Sequence, residues 1–148
     1  MAPIQVSTIG FTKTTAESFF KRLQDAGIRQ VLDVRLRNTS QLAGFAKSDD
    51  LAFSLKNIGG LQYSHQPLLA PTDAMLGAYK KEKGSWKAHE DGFLTLMTER
   101  QVENKFTPDM LDRACLLCSE ATPHQCHRRL VCDYLNAKWN GSITVRHL

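Results

Sequence analysis

The chain has 148 residues, of which 42% are hydrophobic and 23% are charged. These ordinary values exclude a disordered or low-complexity protein. The length predicts a single α/β domain, residues 1–148, that buries its own core without disulfides to hold it. The net charge of +4 and the pI near 9.0 favour an anionic partner, either a small molecule or a nucleic acid. The preference is weak, because part of the excess charge is a cluster of lysines typical of a solvated helix end.

No segment of the sequence is expected to enter a membrane or to direct secretion. No apolar run approaches the roughly 18 residues that a spanning helix needs. The first residues, Met1-Ala-Pro-Ile-Gln-Val6, run directly into a strand-like pattern without the basic and apolar regions of a signal peptide. We therefore expect a cytoplasmic protein with no membrane partner, and the sequence indicates no particular oligomeric state.

The chain begins with the pattern of a strand, a helix and a second strand. Ile4–Gly10 alternates apolar and polar residues and stops at a glycine, as strands do. Thr14-Thr-Ala-Glu17 has the form of a capping box, and the helix that it opens ends at Gly27. Ile28–Arg35 is predicted as the second strand. Short links between these elements predict a βαβ unit with parallel strands and a right-handed crossover.

The alternation of helices and strands continues to the end of the chain. Further helices are predicted over Ser48–Asn57, from Thr72 to about Lys81, from about Trp86 to Glu103 and over Cys126–Trp139; further strands are predicted over Leu61–His65, Ala114–Cys118 and Ile143–His147. This order predicts an α/β fold, a three-layer Rossmann-like sandwich with a small, mostly parallel sheet of about four strands.

Polar or small residues stand at the ends of three predicted strands. They are Gly10 and Thr12 after the first strand, Asp33 and Arg35 at the end of the second, and Cys118 and Glu120 at the end of the strand that begins at Ala114. The carboxyl ends of parallel strands meet at one edge of a sheet, where α/β folds bind their ligands. We therefore expect these residues to cluster at that edge, together with Cys126.

The segment from Cys115 to Arg129 delivers reactive side chains to one junction between a strand and a helix. Cys126 opens the predicted helix, where the helix dipole and neighbouring positive charges should favour its thiolate, the profile of a nucleophile. The structural alternative is a small, half-buried residue that starts the helix. Glu120 is either a general base, a group that orients His127, or an ion-pair partner of an arginine. The catalytic candidates are thus Cys126, Glu120 and His127.

Arg128 is the leading candidate for binding an anion, because a guanidinium beside helix N–H groups suits phosphate or carboxylate. Its side chain is expected at the rim of the site, so that Arg128→Ala would leave the fold intact. Asp33 and Arg35 face the same way along a strand, and either form a structural salt bridge or fix a ligand's phosphate or hydroxyl groups. The other anion-binding candidates are Arg129, Gly10, Thr12 and His65.

The four cysteines are predicted to be reduced, with Cys115 and Cys132 buried. Cys115 and Cys118 lie three apart in a strand and so face opposite ways, and Cys132 diverges from Cys126 around one helix. Only Cys118 and Cys126 remain a plausible close pair. A transition-metal site is a further alternative, although its four residues lack the paired spacing of a zinc motif: His65, Cys118, Cys126 and His127.

The glycines form neither a P-loop nor a G-x-G-x-x-G motif. Nucleotide hydrolysis by a Walker site and a dinucleotide cofactor are therefore rejected, and no cofactor is predicted.

Several segments, taken together, resemble those of a known family. They are Asp33-Val-Arg35, Ser40, Tyr63-Ser-His65, Leu117-Cys-Ser-Glu120, Cys126-His-Arg128 and Val145-Arg-His-Leu148. With its leucine-rich strand, glutamate and Cys-His-Arg, the chain resembles the uncharacterised domain-of-unknown-function 488 family over nearly its whole length. The resemblance implies an α/β fold, and Cys118 and Cys126 match the family's signature. It implies no activity.

Two kinds of function remain open at this point. The protein is either a small enzyme that uses Cys126 or Glu120 on a nucleotide-like or other anionic substrate held by Arg35 and Arg128, or a binding module without turnover. A binding module would use the same rim for a nucleotide, a nucleic-acid end or a phosphorylated metabolite. An enzyme requires the thiol or carboxylate within reach of a reacting atom, whereas a binding module needs only the arginines and N–H groups.

Overall fold

The computed structural model describes residues 3–11, 14–36, 46–81, 84–118 and 126–148. Within these ranges, five strands form one sheet in the order β3-β2-β4-β1-β5, and every neighbouring pair is parallel. The strands are β1 (Ile4–Gly10), β2 (Gln30–Asp33), β3 (Gln62–His65), β4 (Ala114–Cys118) and β5 (Ile143–His147). The predicted α/β class is confirmed, with one strand more than the expected four.

Helices connect the strands. They are α1 (Ala16–Asp25), α2 (Ser48–Gly59), α3 (Asp73–Leu76), α4 (Trp86–Arg100), α5 (Val102–Lys105), α6 (Pro108–Leu111) and α7 (His127–Lys138), with a short 3-10 turn at Pro67–Leu69 and a π-helical turn at Gly77–Lys81. Among the described residues there is no helix with the length and apolar character that crossing a membrane requires.

The start of α1 and the end of α4 differ from the predicted ones, and one short helix is additional. The cap of α1 is Thr15, whose side chain accepts a hydrogen bond from the Ser18 backbone N–H, so the helix begins one residue later than the capping box suggested. The long helix predicted from Trp86 to Glu103 stops at Gln101, which takes a left-handed conformation with φ of 52°. Neither glycine nor proline marks that position, so the stop has no local sequence signal. The one-turn helix α6, which begins at Pro108, is an element that the sequence patterns did not predict.

Strand β4 lies at the centre of the sheet and divides the core into two clusters. Its alternate residues Leu116 and Cys118 pack towards α4 and α7, whereas Cys115 and Leu117 pack towards α1 and α2. All five β4 residues are buried, which explains their continuous apolar run. Helices on both faces of a parallel sheet make the three-layer sandwich that the sequence predicted.

Strand register brings the predicted strand ends to one edge. Gly10 is paired with Cys118, and Asp33 lies between Leu117 of β4 and His65 of β3. The expected clustering is confirmed for these described positions. Thr12 and Glu120, which were expected at the same edge, lie outside the described residues.

Candidate functional site

Asp33 ends β2 and is fully buried, where it holds the guanidinium of Arg35. Arg35 Nε donates to Asp33 Oδ1 and Arg35 Nη2 donates to Oδ2, each at 2.8 Å. The backbone N–H of Arg35 also donates to Oδ1, at 3.1 Å, and the Tyr63 hydroxyl donates to Oδ2, at 2.5 Å. The salt bridge that the sequence allowed is therefore present, and it is fixed on both carboxylate oxygens.

The charge of Arg35 decides the protonation of Asp33. Burial by itself would raise the pKa of this carboxyl group. The hydrogen bond and positive charge of Arg35 outweigh that effect, together with the hydrogen bonds from Tyr63 and from the Arg35 backbone, and hold the pKa of Asp33 below its ordinary value. The pair is thus a carboxylate and a guanidinium inside the protein.

Arg35 itself is only 4% exposed. Its guanidinium carbon lies 5.2 Å from the centre of the Phe11 ring, a cation–π contact with the residue that follows β1. Its third guanidinium nitrogen, Nη1, is buried and has no hydrogen-bond partner among the described residues. A buried cationic N–H without a partner is costly, so this atom is suited to donate to an acceptor group.

His65 supports the backbone of Arg35. Its ring nitrogen Nε2 lies 2.6 Å from the Arg35 carbonyl oxygen, and since a carbonyl can only accept, the ring donates. His65 was a candidate both for anion binding and for a metal site. This hydrogen bond directs its Nε2 to the chain after β2, and His65 is not part of the cysteine cluster described next.

Cys118, Cys126 and His127 form a buried cluster on the opposite face of the sheet. Cys118 ends β4, Cys126 caps α7 without a side-chain hydrogen bond to its backbone, and His127 begins that helix. One ligand atom from each residue lies within 4.8 Å of the other two, and the distance from Cys118 Sγ to His127 Nδ1 is 3.5 Å.

A hydrogen bond from the His127 side chain to a backbone carbonyl connects this cluster to the Asp33–Arg35 segment. His127 Nε2 lies 2.6 Å from the carbonyl oxygen of Val34, the residue between Asp33 and Arg35. The imidazole also packs against Phe93 of α4, with ring centres 5.6 Å apart. The first turn of α7 is therefore tied to the end of β2.

The expected activation of Cys126 is wrong for this structure. A hydrogen bond with Cys118, burial and the nearby Cys118 charge raise the pKa of the Cys126 thiol well above its ordinary value. The opposing hydrogen bond and charge of His127 are smaller. The prediction rested on the helix terminus and the nearby arginines. In the structure, the neighbouring Cys118 thiol and the burial of Cys126 have the larger effect on its pKa.

The expected position of Arg128 is also wrong. Its side chain is 0% exposed, the largest among the fully buried side chains, and Nη1 lies 3.8 Å from Cys126 Sγ as a hydrogen-bond donor. Arg128 therefore belongs to the interior beneath the edge, not to a solvent-facing rim. Its neighbour Arg129 forms ion pairs with Glu90 at 3.6 Å and with Asp133 at 3.1 Å.

The remaining cysteines follow the prediction. Cys115 and Cys132 are buried, and all four thiols are free. Burial raises the pKa of Cys115 well above its ordinary value, and burial with the nearby Asp133 charge raises the pKa of Cys132 to about 12. Cys115 and Cys118 lie in different core clusters, as strand alternation requires.

Sequence reasoning missed Tyr63 as a partner of Asp33. In the parallel register Tyr63 pairs with Val31, two residues before Asp33 on the same face of β2. The strand pattern of β3 indicates which face Tyr63 occupies, but relating that face to Asp33 requires knowing that β2 and β3 are neighbours. The Val34 carbonyl, a backbone group, has no side-chain signal at all.

Comparison with known proteins gives one match. The family model described as a domain of unknown function, DUF488, matches residues 15–135. No curated protein and no solved structure was found to match the chain.

Proposed function

Because this chain belongs to the DUF488 family, whose description names no activity, we propose a function from the site itself. The carboxyl edge of the sheet binds a small anion, a phosphate or phosphate ester, through Arg35. The observation that carries this proposal is the buried Nη1 of Arg35, which has no partner among the described residues.

The bond pattern of Arg35 makes it suitable for this role. Two of its three nitrogens are held by Asp33, so the guanidinium is oriented before any ligand arrives and little side-chain entropy is lost on binding. The carboxylate also balances the guanidinium charge, so the site attracts an anion through directed N–H groups more than through net charge. This favours modest affinity and fast exchange.

The first turn of α7 adds a second source of donors. The opening N–H groups of a helix have no partner four residues before them, and the helix dipole favours negative charge there. In α7 the N–H of Arg129 already donates to the Cys126 carbonyl at 3.2 Å, so the preceding N–H groups are the proposed donors. The hydrogen bond from His127 to the Val34 carbonyl joins this turn to the residue before Arg35. With about 0.3–1 kcal/mol from the helix terminus and about 1.5–3 kcal/mol for each charge-assisted hydrogen bond, we expect millimolar to micromolar affinity.

Binding without turnover is the better supported of the two functions. The raised pKa of Cys126 keeps its thiol protonated at neutral pH, and a protonated thiol is a poor nucleophile. The enzymatic alternative uses Glu120 or Cys126 with His127 as acid and base. In either case we propose that Gly10, His65, Arg128 and Arg129 border or support the ligand, with Asp33 fixing Arg35.

Calorimetric titration of inorganic phosphate and nucleoside monophosphates into the wild type and Arg35→Lys tests the proposal. The ammonium of lysine cannot keep both Asp33 bonds and also direct an N–H to the ligand. We expect Arg35→Lys to weaken anion binding at least about tenfold, a change of about 1.4 kcal/mol.

Arg29→Lys is the matched control. Arg29 precedes the other end of β2 and donates to the Asp109 carbonyl at 3.1 Å, so its replacement should leave anion affinity unchanged. Thermal unfolding of each variant separates loss of binding from loss of fold. Absence of anion binding by the wild type, or equal weakening in both variants, would contradict the proposal.

A further inference from the structure

We propose that Cys118, Cys126 and His127 form a binding site for a divalent transition metal of the zinc class. This site lies on the opposite face of β2 from the Asp33–Arg35 pair. Both proposals use the first turn of α7, but the metal would be held by side chains and the anion by N–H groups, so the metal proposal does not require anion binding. Cys118 lies nine positions before His127, and the spacing of the three residues matches no zinc motif. The fold alone assembles them, from the end of β4 and the start of α7.

The distances suit a tetrahedral ion. Zn–S bonds of about 2.3 Å and Zn–N bonds of about 2.0–2.1 Å place a sulfur and a nitrogen ligand about 3.5 Å apart, and two sulfurs about 3.8 Å apart. The observed distance from Cys118 Sγ to His127 Nδ1 is 3.5 Å, and all ligand atoms lie within 4.8 Å of one another. Small side-chain adjustments therefore suffice to close the site around an ion.

The hydrogen bond of His127 sets the tautomer that a metal requires. The Val34 carbonyl oxygen can only accept, so the Nε2 atom 2.6 Å away must carry the proton. In the neutral ring the lone pair then belongs to Nδ1, which is the nearer ring nitrogen to Cys118 Sγ, at 3.5 Å against 3.8 Å for Nε2. Histidines that ligate metals have this same arrangement, with the second ring nitrogen donating to a backbone carbonyl or carboxylate.

The surroundings also suit the charge of the bound state. Two thiolates neutralise a divalent cation, which matters because all three side chains are buried. Arg128 Nη1 already points an N–H at Cys126 Sγ, at 3.8 Å. Such a bond favours a ligating thiolate. The described residues supply three ligands, so one place remains for a further donor, water in the simplest case.

Metal titration of the reduced, chelator-treated wild type tests the site directly. We expect one Zn²⁺ per chain by elemental analysis after dialysis. Co²⁺ should give the visible bands of a tetrahedral ion and the near-ultraviolet charge-transfer bands of thiolate ligation, and Zn²⁺ should abolish both. Absence of the thiolate bands, or failure to retain Zn²⁺, overturns the proposal whether or not any variant folds.

Cysteine variants then locate the ligands. Cys118→Ser and Cys126→Ser should each lower Co²⁺ affinity by at least about a hundredfold, since even outer-shell changes cost about 10–100-fold. Cys132→Ser is the control, because Cys132 is an equally buried thiol on α7 outside the cluster. Equal loss in all three variants overturns the assignment. A second result would also overturn the assignment. If the reduced protein takes up no metal and Cys118 and Cys126 form a disulfide in air, the pair is a redox dithiol and not a metal site.

Discussion

The charges of Asp33 and Arg35 are both removed from solvent, and each is stable only in the presence of the other. A buried ion pair recovers the cost of its desolvation only with good geometry and further hydrogen bonds. Here both carboxylate oxygens are bonded, and Tyr63 and the Arg35 backbone add donors. Removing one partner leaves the other charged and buried, which is far more costly than removing a surface ion pair.

Asp33→Asn should lower the free energy of unfolding by about 3–5 kcal/mol at neutral pH, because it leaves Arg35 buried without its counter-charge. The folded-state pKa of Asp33 is lowered, so the stabilisation from its ionised form is fully present above the ordinary value of about 3.9. This stabilisation is lost as the pH falls through the lowered pKa that Asp33 has in the folded protein. The difference between wild type and variant, measured by urea unfolding, should therefore narrow below about pH 4.

Asp25→Asn provides the control at the same scale. Asp25 is exposed at the end of α1, so its replacement should change stability by no more than about 0.5 kcal/mol. A difference between wild type and Asp33→Asn that stays constant across the acid range would show that the Asp33 charge does not stabilise the fold.

At the scale of the elements, backbone conformation decides where helices end. Gly60 follows α2 with φ of 64°, and its N–H bonds to carbonyls of the last turn. Gly77 follows α3 with φ of −61°, an ordinary helical value. A Cβ atom added at either glycine would meet nothing within 4 Å. The two positions therefore differ in backbone conformation and not in the space around them.

Gly60→Ala and Gly77→Ala should change stability in opposite directions. Gly60→Ala should destabilise by about 1–2 kcal/mol, because the left-handed conformation brings Cβ against the following carbonyl. Gly77→Ala should stabilise by about 0.4–1 kcal/mol, because alanine restricts the unfolded chain and fits the folded one. Chemical denaturation measures both. Destabilisation of similar size at both positions would mean that something other than backbone conformation determines the effect of the added methyl group on stability.

At the scale of the whole molecule, strand β4 contributes to both core clusters, because its five residues alternate between the two faces of the sheet. Neither face of a sheet can lose its helices without exposing the strand that the other face also buries. This arrangement favours one cooperative unfolding transition, as expected of a single domain.

Two probes on opposite faces can test this cooperativity. Trp86 and Trp139 pack against the cluster beneath α4 and α7, whereas Cys115 belongs to the cluster beneath α1 and α2. We expect tryptophan fluorescence and pulsed labelling of Cys115, in a variant with the other three cysteines replaced by alanine, to give the same urea midpoint. A lower midpoint for Cys115 would show that the α1/α2 face opens separately and would contradict the single-domain prediction.

The sequence by itself determined the alternation of strands and helices and the edge of the sheet at which its polar residues meet. Both follow from local patterns, because the residues at and next to a strand end, such as Gly10, Asp33 and Cys118, indicate where the strand stops. Only the tertiary structure decided the strand order that brings Tyr63 to Asp33, the burial of Arg128, the raised pKa of Cys126 and the proton position on His127. These properties depend on the groups that surround a side chain in space, and the distant partners, such as Val34 for His127, have no local signal in the sequence.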